Sequence, residues 1–333
     1  RMTERVNRSL VLVSRPVGVP KESDYRIEES AIPELSAGQF LVRNVYMSVD
    51  PYMRGMMRGL DLGTTPSGGA VGQVIESRNA DFPEGCIVVN GQSWREYALC
   101  DGADLIDPQV SPLSAYLGVV GMPGFTAWYG LTRIGEPQAG ETVVVSAAAG
   151  AVGSLVGQIA KIKGCRVVGT AGGPEKCAHL TDDLGFDAAI DYRAADDLPG
   201  ALREACPDGI DVYYENVGGP MLEAVLGLVN QNARIPVCGM ISVYNNEEPE
   251  PGPRNMFALI YGRVLMQGFI ISDHVELADE FRAEVTGWIK DGRVTYRETV
   301  VEGLEAAPGA FIDLFSGRNL GKMVVRLADD PSV

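Results

Sequence analysis

At 333 residues, 46% hydrophobic and 22% charged, the chain has the balance of a globular protein with room for two full-sized cores. Its net charge of −16, with no cluster of Lys and Arg, speaks against a nucleic-acid groove or an anionic membrane surface as partner. No apolar run is long enough to span a bilayer, and the opening "RMTERVNRSLVLVSRP" lacks a signal-peptide cleavage pattern, so a cytoplasmic location is expected.

From Arg8 to about Leu113 the pattern is short strands punctuated by Gly and Pro: "SLVLVSRP", "QFLVRNVYMSV", "GAVGQVIES", "GCIVVNG", "WREYALC". This even punctuation predicts an all-β, barrel-like module over residues 1–116. From Leu117 the texture changes to strand–helix alternation. The strands "TVVVS", "CRVVGT", "AAIDY", "IDVYYENV" and "ARIPVCGM" are separated by helical stretches such as "SLVGQIAKIK" and "MLEAVLGLVN". That is the signature of βαβ units around a parallel sheet, expected over residues 117–295. "RVLMQGFII" reads as a further strand and "VELADEFRAEVTGWIKDG" as a long helix. Residues 296–333 return to strand character and are expected to complete the first module. The cysteines at 86, 100, 165, 177, 206 and 238 never fall at C-x-x-C spacing, and the histidines are only His179 and His274. A zinc site of clustered thiolates and a disulfide framework are therefore not expected.

The stretch "VVVSAAAGAVGSLVGQIAKIKG" carries the first functional signal. Gly150 and Gly153 close a strand-to-helix turn, and Ala148 stands where a dinucleotide fingerprint has its first glycine. Small residues there let backbone N–H groups approach a pyrophosphate at the positive end of a helix, although a tight packing turn would use the same residues. Folds selective for NAD place an acid about twenty residues on, to hold the ribose 2′-hydroxyl. Here the second strand ends "VVGTAGGPEK", without that acid and with Lys176 just beyond. A lysine offers a point charge to a 2′-phosphate, so NADP(H) is the expected cofactor.

Together with "EKCAHLTDDLGFDAAIDY", "NVYMSVDPYMRGMM", "GMPGFTAWYGL" and "GRNLGKMVV", these motifs resemble the zinc-independent medium-chain dehydrogenase/reductase superfamily. Within it the chain is similar to the branch of prostaglandin reductases, alkenal double-bond reductases and curcumin reductases. The resemblance spans nearly the whole chain. It implies a GroES-like β-barrel catalytic domain plus a Rossmann domain, NADPH-dependent reduction of the C=C bond of α,β-unsaturated aldehydes or ketones, and commonly a homodimer. It places Ala151, Val152, Gly153 and Ser154 at the pyrophosphate, Lys176 and Tyr192 at the 2′-phosphate, and Asn216 at the ribose side. It sets Cys238, Gly239, Ile241 and Tyr244, with Phe269, Ile270 and Ile271, beside the nicotinamide half, and brings in Asn319 from the tail. Tyr52 and Tyr261 match tyrosines facing substrate and nicotinamide ribose.

Each of these has a bland alternative from spacing alone: a buried small residue at Cys238, core strand at Phe269–Ile271, turn asparagines at Asn216 and Asn319, amphipathic core tyrosines at Tyr52 and Tyr261. The methionines at 47, 53, 56 and 57 suit either core filling or a flexible wall for apolar enones. Zinc-dependent relatives carry a His-Glu pair where this chain has "PSGGAVGQV", so ligands for metal-assisted alcohol oxidation are missing. An NADPH:quinone reductase and a non-catalytic NADPH-binding protein remain as alternatives.

Overall fold

The structure is a computed structural model that describes residues 6–333. It divides into two compact units. The first takes the described residues up to Leu117, with Glu298–Asn319 and Met323–Val333; the second takes Gly118–Arg297 with Leu320–Lys322.

The first unit is built from β1 (Val6–Leu12), β2 (Tyr25–Ala31), β3 (Phe40–Ser48), the one-turn helix α1 (Met53–Met56), β4 (Ala70–Ser77), β5 (Ile87–Asn90), β6 (Tyr97–Cys100) and β7 (Asp104–Ile106). The antiparallel ribbon β1–β2 stands beside a sheet in which β3 and β4 are central and β6 pairs with β3. The chain returns late to this unit. β14 (Glu298–Glu302) and β15 (Lys322–Arg326) extend the sheet next to β3, and helix α9 (Ala307–Ser316) brings Ala307, Ala310 and Phe311 into the core. There Phe311 meets Trp94 edge-on at 5.9 Å between ring centroids, and Tyr25 stacks on Trp94 at 5.4 Å. Such pairs add to what burial of the rings already contributes.

The second unit holds α2 (Met122–Tyr129), β8 (Thr142–Val145), α3 (Gly153–Ile162), β9 (Arg166–Ala171), α4 (Pro174–Ala178), β10 (Ala188–Asp191), α5 (Leu198–Ala205), β11 (Ile210–Tyr214), α6 (Gly219–Leu226), β12 (Val229–Val237), α7 (Ala258–Gly262), β13 (Leu265–Gly268) and α8 (Ala278–Lys290). Its six strands are all parallel, in the order β10-β9-β8-β11-β12-β13. The valines of β8 are wholly buried because helices cover both faces of a doubly wound sheet. Chain order runs outward from β8 to β10 and then restarts at β11. The gap between the carboxyl ends of β8 and β11 is therefore the switch point at which such sheets bind ligands. GroES-like and Rossmann architectures are thus both present.

One strand is shorter than its apolar run suggests. β13 ends at Gly268, opposite Val237, where β12 also ends. With no neighbour to continue the ladder, Phe269–Ile271 leave the sheet, and Ile270 is 66% exposed. The core-strand alternative for these three residues fails for that reason.

Candidate active site

The turn after β8 is shaped by contacts that leave no room for side chains. Ala147 takes a left-handed conformation (φ 48°), and the Gly150 N–H donates back to its carbonyl at 3.1 Å. A Cβ on Gly153 would lie 2.5 Å from that same carbonyl oxygen and 2.8 Å from the Ala148 Cα, both backbone atoms that cannot yield. Helix α3 then starts at Gly153 with no side-chain cap. Its first N–H groups, near Ala151, Val152 and Gly153, form a positive helix end suited to an anion. Ser154 spends its N–H on the Gly150 carbonyl at 3.1 Å, leaving its hydroxyl as the group to offer. The tail comes back here too: the Gly321 N–H donates to the Ala149 carbonyl at 2.8 Å.

At the carboxyl ends of β9 and β10 three polar side chains converge beside Gly172. A Cβ on Gly172 would sit 2.7 Å from Arg193 Nε and 3.1 Å from Tyr192 Oη, and the guanidinium lies 5.9 Å from the centroid of the Tyr192 ring. Half-buried Lys176, on α4, belongs to the same group. Burial lowers its pKa, and the positive charge of Arg193 lowers it further, as two cations facing a common space require. Neighbouring Glu175 acts the other way and raises the Lys176 pKa, while Asp191 is held by backbone donors, accepting from the Gly173 N–H at 2.9 Å and the Arg193 N–H at 3.0 Å. Arg193 is absent from the sequence-derived site. Its signal is the basic residue directly after Tyr192 in "DYRAADD".

On the far side of β8, Asn216 follows β11. Its N–H donates to Ser146 Oγ at 3.0 Å and its Nδ2 to the Ser146 carbonyl at 2.8 Å. The segment after β12 is tied to it, since the Ile241 N–H donates to the Asn216 carbonyl at 3.1 Å. Gly239 lies against Tyr244, whose hydroxyl accepts from the Met240 N–H at 3.2 Å. Burial pushes the Cys238 thiol up to about 12, so it stays protonated at neutral pH and is not a nucleophile. The Phe269 ring and the Tyr214 phenol meet over Gly130, where any Cβ would be 2.7 Å from each. The strand ends thus bring together Asn216, Cys238, Gly239, Ile241, Tyr244 and Phe269.

Tyr261, matched in sequence to a tyrosine facing the nicotinamide ribose, does not join this group within one chain. It lies on α7, just before β13, and a residue entering a parallel strand stands at the amino end of the sheet. It is 73% exposed and lines an open groove of about 420 Å³ with Val229 and Gln231, at the start of β12. The nine residues of β12 separate that end from Cys238 by roughly 25 Å at ~3.3 Å per residue.

In the first unit Tyr52 is 41% exposed, and Met56, one turn on, shares its face. Desolvation, reinforced by the charge of Asp50, raises the Tyr52 phenol well above its ordinary range. Met47, Met53 and Met57 are core residues packed with Trp94 and Phe311, so only Met56 of the four is exposed to meet a ligand. Asn319 is half-buried, beyond the end of α9. Among the described residues no group of three or more His, Cys, Asp or Glu side chains is placed to hold a metal ion.

Two family profiles match the chain: one described as the N-terminal domain of oxidoreductase over residues 8–107, the other as zinc-binding dehydrogenase over residues 151–290. The NADPH-dependent curcumin reductase of Escherichia coli (strain K12) is 48% identical, with 97% of this chain and 98% of that protein covered. The NADP(+)-dependent 2-alkenal reductase of Nicotiana tabacum is 44% identical, with 98% and 99% covered. The crystal structure of CurA from Vibrio vulnificus in complex with NADPH superposes with a TM-score of 0.91 at 47% identity, with 97% and 99% covered. The chain belongs to the zinc-independent branch of the medium-chain dehydrogenase/reductase superfamily that holds the curcumin, alkenal and prostaglandin reductases.

Proposed function

We propose that this protein is an NADPH-dependent reductase of the C=C bond in α,β-unsaturated aldehydes and ketones. The observation that carries the cofactor choice is the convergence of Lys176, Arg193 and Tyr192 beside Gly172, at the strand end where a ribose 2′-group falls. Two cations and a phenol suit a dianion, and the acid that would select NAD is missing. The cradle at Gly153 and the uncapped start of α3 fit the pyrophosphate, with Ala151, Val152 and the Ser154 hydroxyl beside it. Asn216, the Cys238–Tyr244 segment and Phe269–Ile271 hold the nicotinamide half.

When bound, NADPH supplies the hydride. Hydride addition at the β-carbon of an enone spreads charge onto the carbonyl oxygen, and a neutral phenol can stabilise that charge by donating a hydrogen bond. Tyr52 suits this role, because its phenol is partly exposed and, like any tyrosine hydroxyl, keeps its proton in the physiological range. Cys238, half-buried and with its thiol pKa pushed up, adds no competing nucleophile to the neighbouring wall. NADPH consumption with a panel of alkenals, long-chain enones and quinones tests the reading. Turnover restricted to quinones would favour the quinone-reductase alternative, and binding of NADPH without any turnover would leave a binding protein.

The same reading includes a homodimer in the cytoplasm. β13 is an edge strand, and Phe257, Ile260, Tyr261 and Leu265 leave an apolar surface exposed around it. Pairing β13 antiparallel with a second copy covers that edge. A two-fold axis sets the amino end of one β13 against the carboxyl end of the other. The Tyr261 phenol of one copy is then carried toward the strand ends that hold the cofactor in the other, so Tyr261 serves in trans. A monomer by light scattering would remove this part of the reading.

A further inference from the structure

We infer that Glu215 is a positioning residue for the nicotinamide half of the cofactor, acting through the turn Asn216–Gly218 and the segment Cys238–Ile241. The inference rests on the NADPH reading above. Glu215 is wholly buried at the end of β11, and one oxygen does nearly all its bonding. Oε1 accepts from the Val217 N–H at 2.6 Å, the Gly218 N–H at 2.8 Å and Tyr213 Oη at 2.8 Å, with Ser146 Oγ at 3.5 Å. Its backbone carbonyl accepts from the N–H groups of Cys238 at 3.0 Å and Gly239 at 3.2 Å. One residue therefore pins the ends of β8, β11 and β12 to each other.

The turn it holds would be loose without it. Gly218 and Gly219 both have positive φ (77° and 54°), and such a pair carries a large entropic cost of ordering. Glu215 fixes the two N–H groups that enter it, while the Asn216 and Val217 carbonyls accept from Ile241 and Ser242, each at 3.1 Å. Stability alone does not account for the acid. Its Oε2 is buried without a hydrogen-bond partner, an arrangement that costs stability. Burial raises its pKa, and its donors act against that rise.

The strand order says which half of the cofactor is affected. The Lys176–Tyr192–Arg193 group lies at β9 and β10, on one side of the switch point, and Glu215 lies on the other. A dinucleotide bound across the switch point has its adenine half over the first side and its nicotinamide half over the second.

The test compares Glu215→Ala and Glu215→Gln for binding of NADPH and of adenosine 2′,5′-bisphosphate, which carries the adenine half alone. The Ala variant is expected to weaken NADPH binding by about tenfold or more, as loss of a set of hydrogen bonds to a charged group implies, and to leave the bisphosphate within about twofold. The Gln variant, whose amide oxygen still accepts at the Oε1 position, is expected to recover most of the NADPH affinity. If Glu215→Ala does not fold, Tyr213→Phe removes one Oε1 donor and should show the same selective pattern at smaller size. Unchanged NADPH binding, equal loss of both ligands, or a Gln variant no better than Ala would overturn the assignment. A wild-type protein that fails to bind the bisphosphate would instead refute the underlying NADPH reading, and this inference with it.

Discussion

Gly172→Ala is a small change with a selective consequence. Gly172 has no left-handed φ requirement, so alanine is tolerated by the backbone. The added Cβ, however, would stand 2.7 Å from Arg193 Nε, 3.0 Å from its Cζ and 3.1 Å from Tyr192 Oη. Ordinary contacts need roughly 3.5–4.0 Å, so the guanidinium must retreat by about 1 Å. Both contacts are the far ends of flexible side chains, and stability should hardly change. A displaced guanidinium forfeits a charge-assisted contact worth about 1.5–3 kcal/mol, which is a roughly ten- to hundredfold loss of NADPH affinity. NADH, which lacks the 2′-phosphate, should bind as before. Calorimetric titration with both cofactors, beside a melting curve, makes the measurement. Equal losses for NADPH and NADH, or unchanged NADPH binding in a folded variant, would refute the clamp.

Lys176 makes NADPH preference pH-dependent. Its pKa is lowered from 10.5, and the charged amine is the form that binds phosphate. The affinity ratio of NADPH to NADH should therefore fall as pH rises, beginning at lower pH than an ordinary lysine dictates, and Lys176→Ala should abolish that pH dependence. Gly157→Ala should destabilise the protein despite better helix propensity, because the Cβ would lie 1.9 Å from Phe186 Cζ; overpacking costs about 1–3 kcal/mol against a propensity gain of about 1. Phe186→Leu should recover part of that loss, as thermal unfolding of the single and double variants would show. Mixing a Tyr52→Phe protein with a Tyr261→Phe protein should restore activity if Tyr261 acts in trans, since one site of each mixed dimer then has both tyrosines. No gain on subunit exchange would contradict the trans assignment.

The glycine turn was readable because its demands are local: a β-branched run, small residues and a helix start within a few positions. Lys176 stands out in the sequence because the strand end before it carries no acid. Arg193 was not, because its guanidinium reaches the Lys176 group only through the pairing of β9 with β10. Glu215 looks like any surface acid in one-letter code; only the register of β11 with β12 shows it wholly buried. Tyr261 is a different case. Matching a motif says which residue type recurs, whereas the parallel sheet decides at which end it lies. The methionines near Tyr52 were open to two readings, and packing around Trp94 makes three of them core.

Isotope placement reads the hydride's destination itself. The protein is incubated with an α,β-unsaturated ketone and NADPH deuterated at the nicotinamide C4, and the product is read by NMR. Deuterium at the β-carbon of a saturated ketone, with the carbonyl intact, is the expected result. Deuterium on a carbinol carbon, or no transfer while NADPH binds, would contradict it.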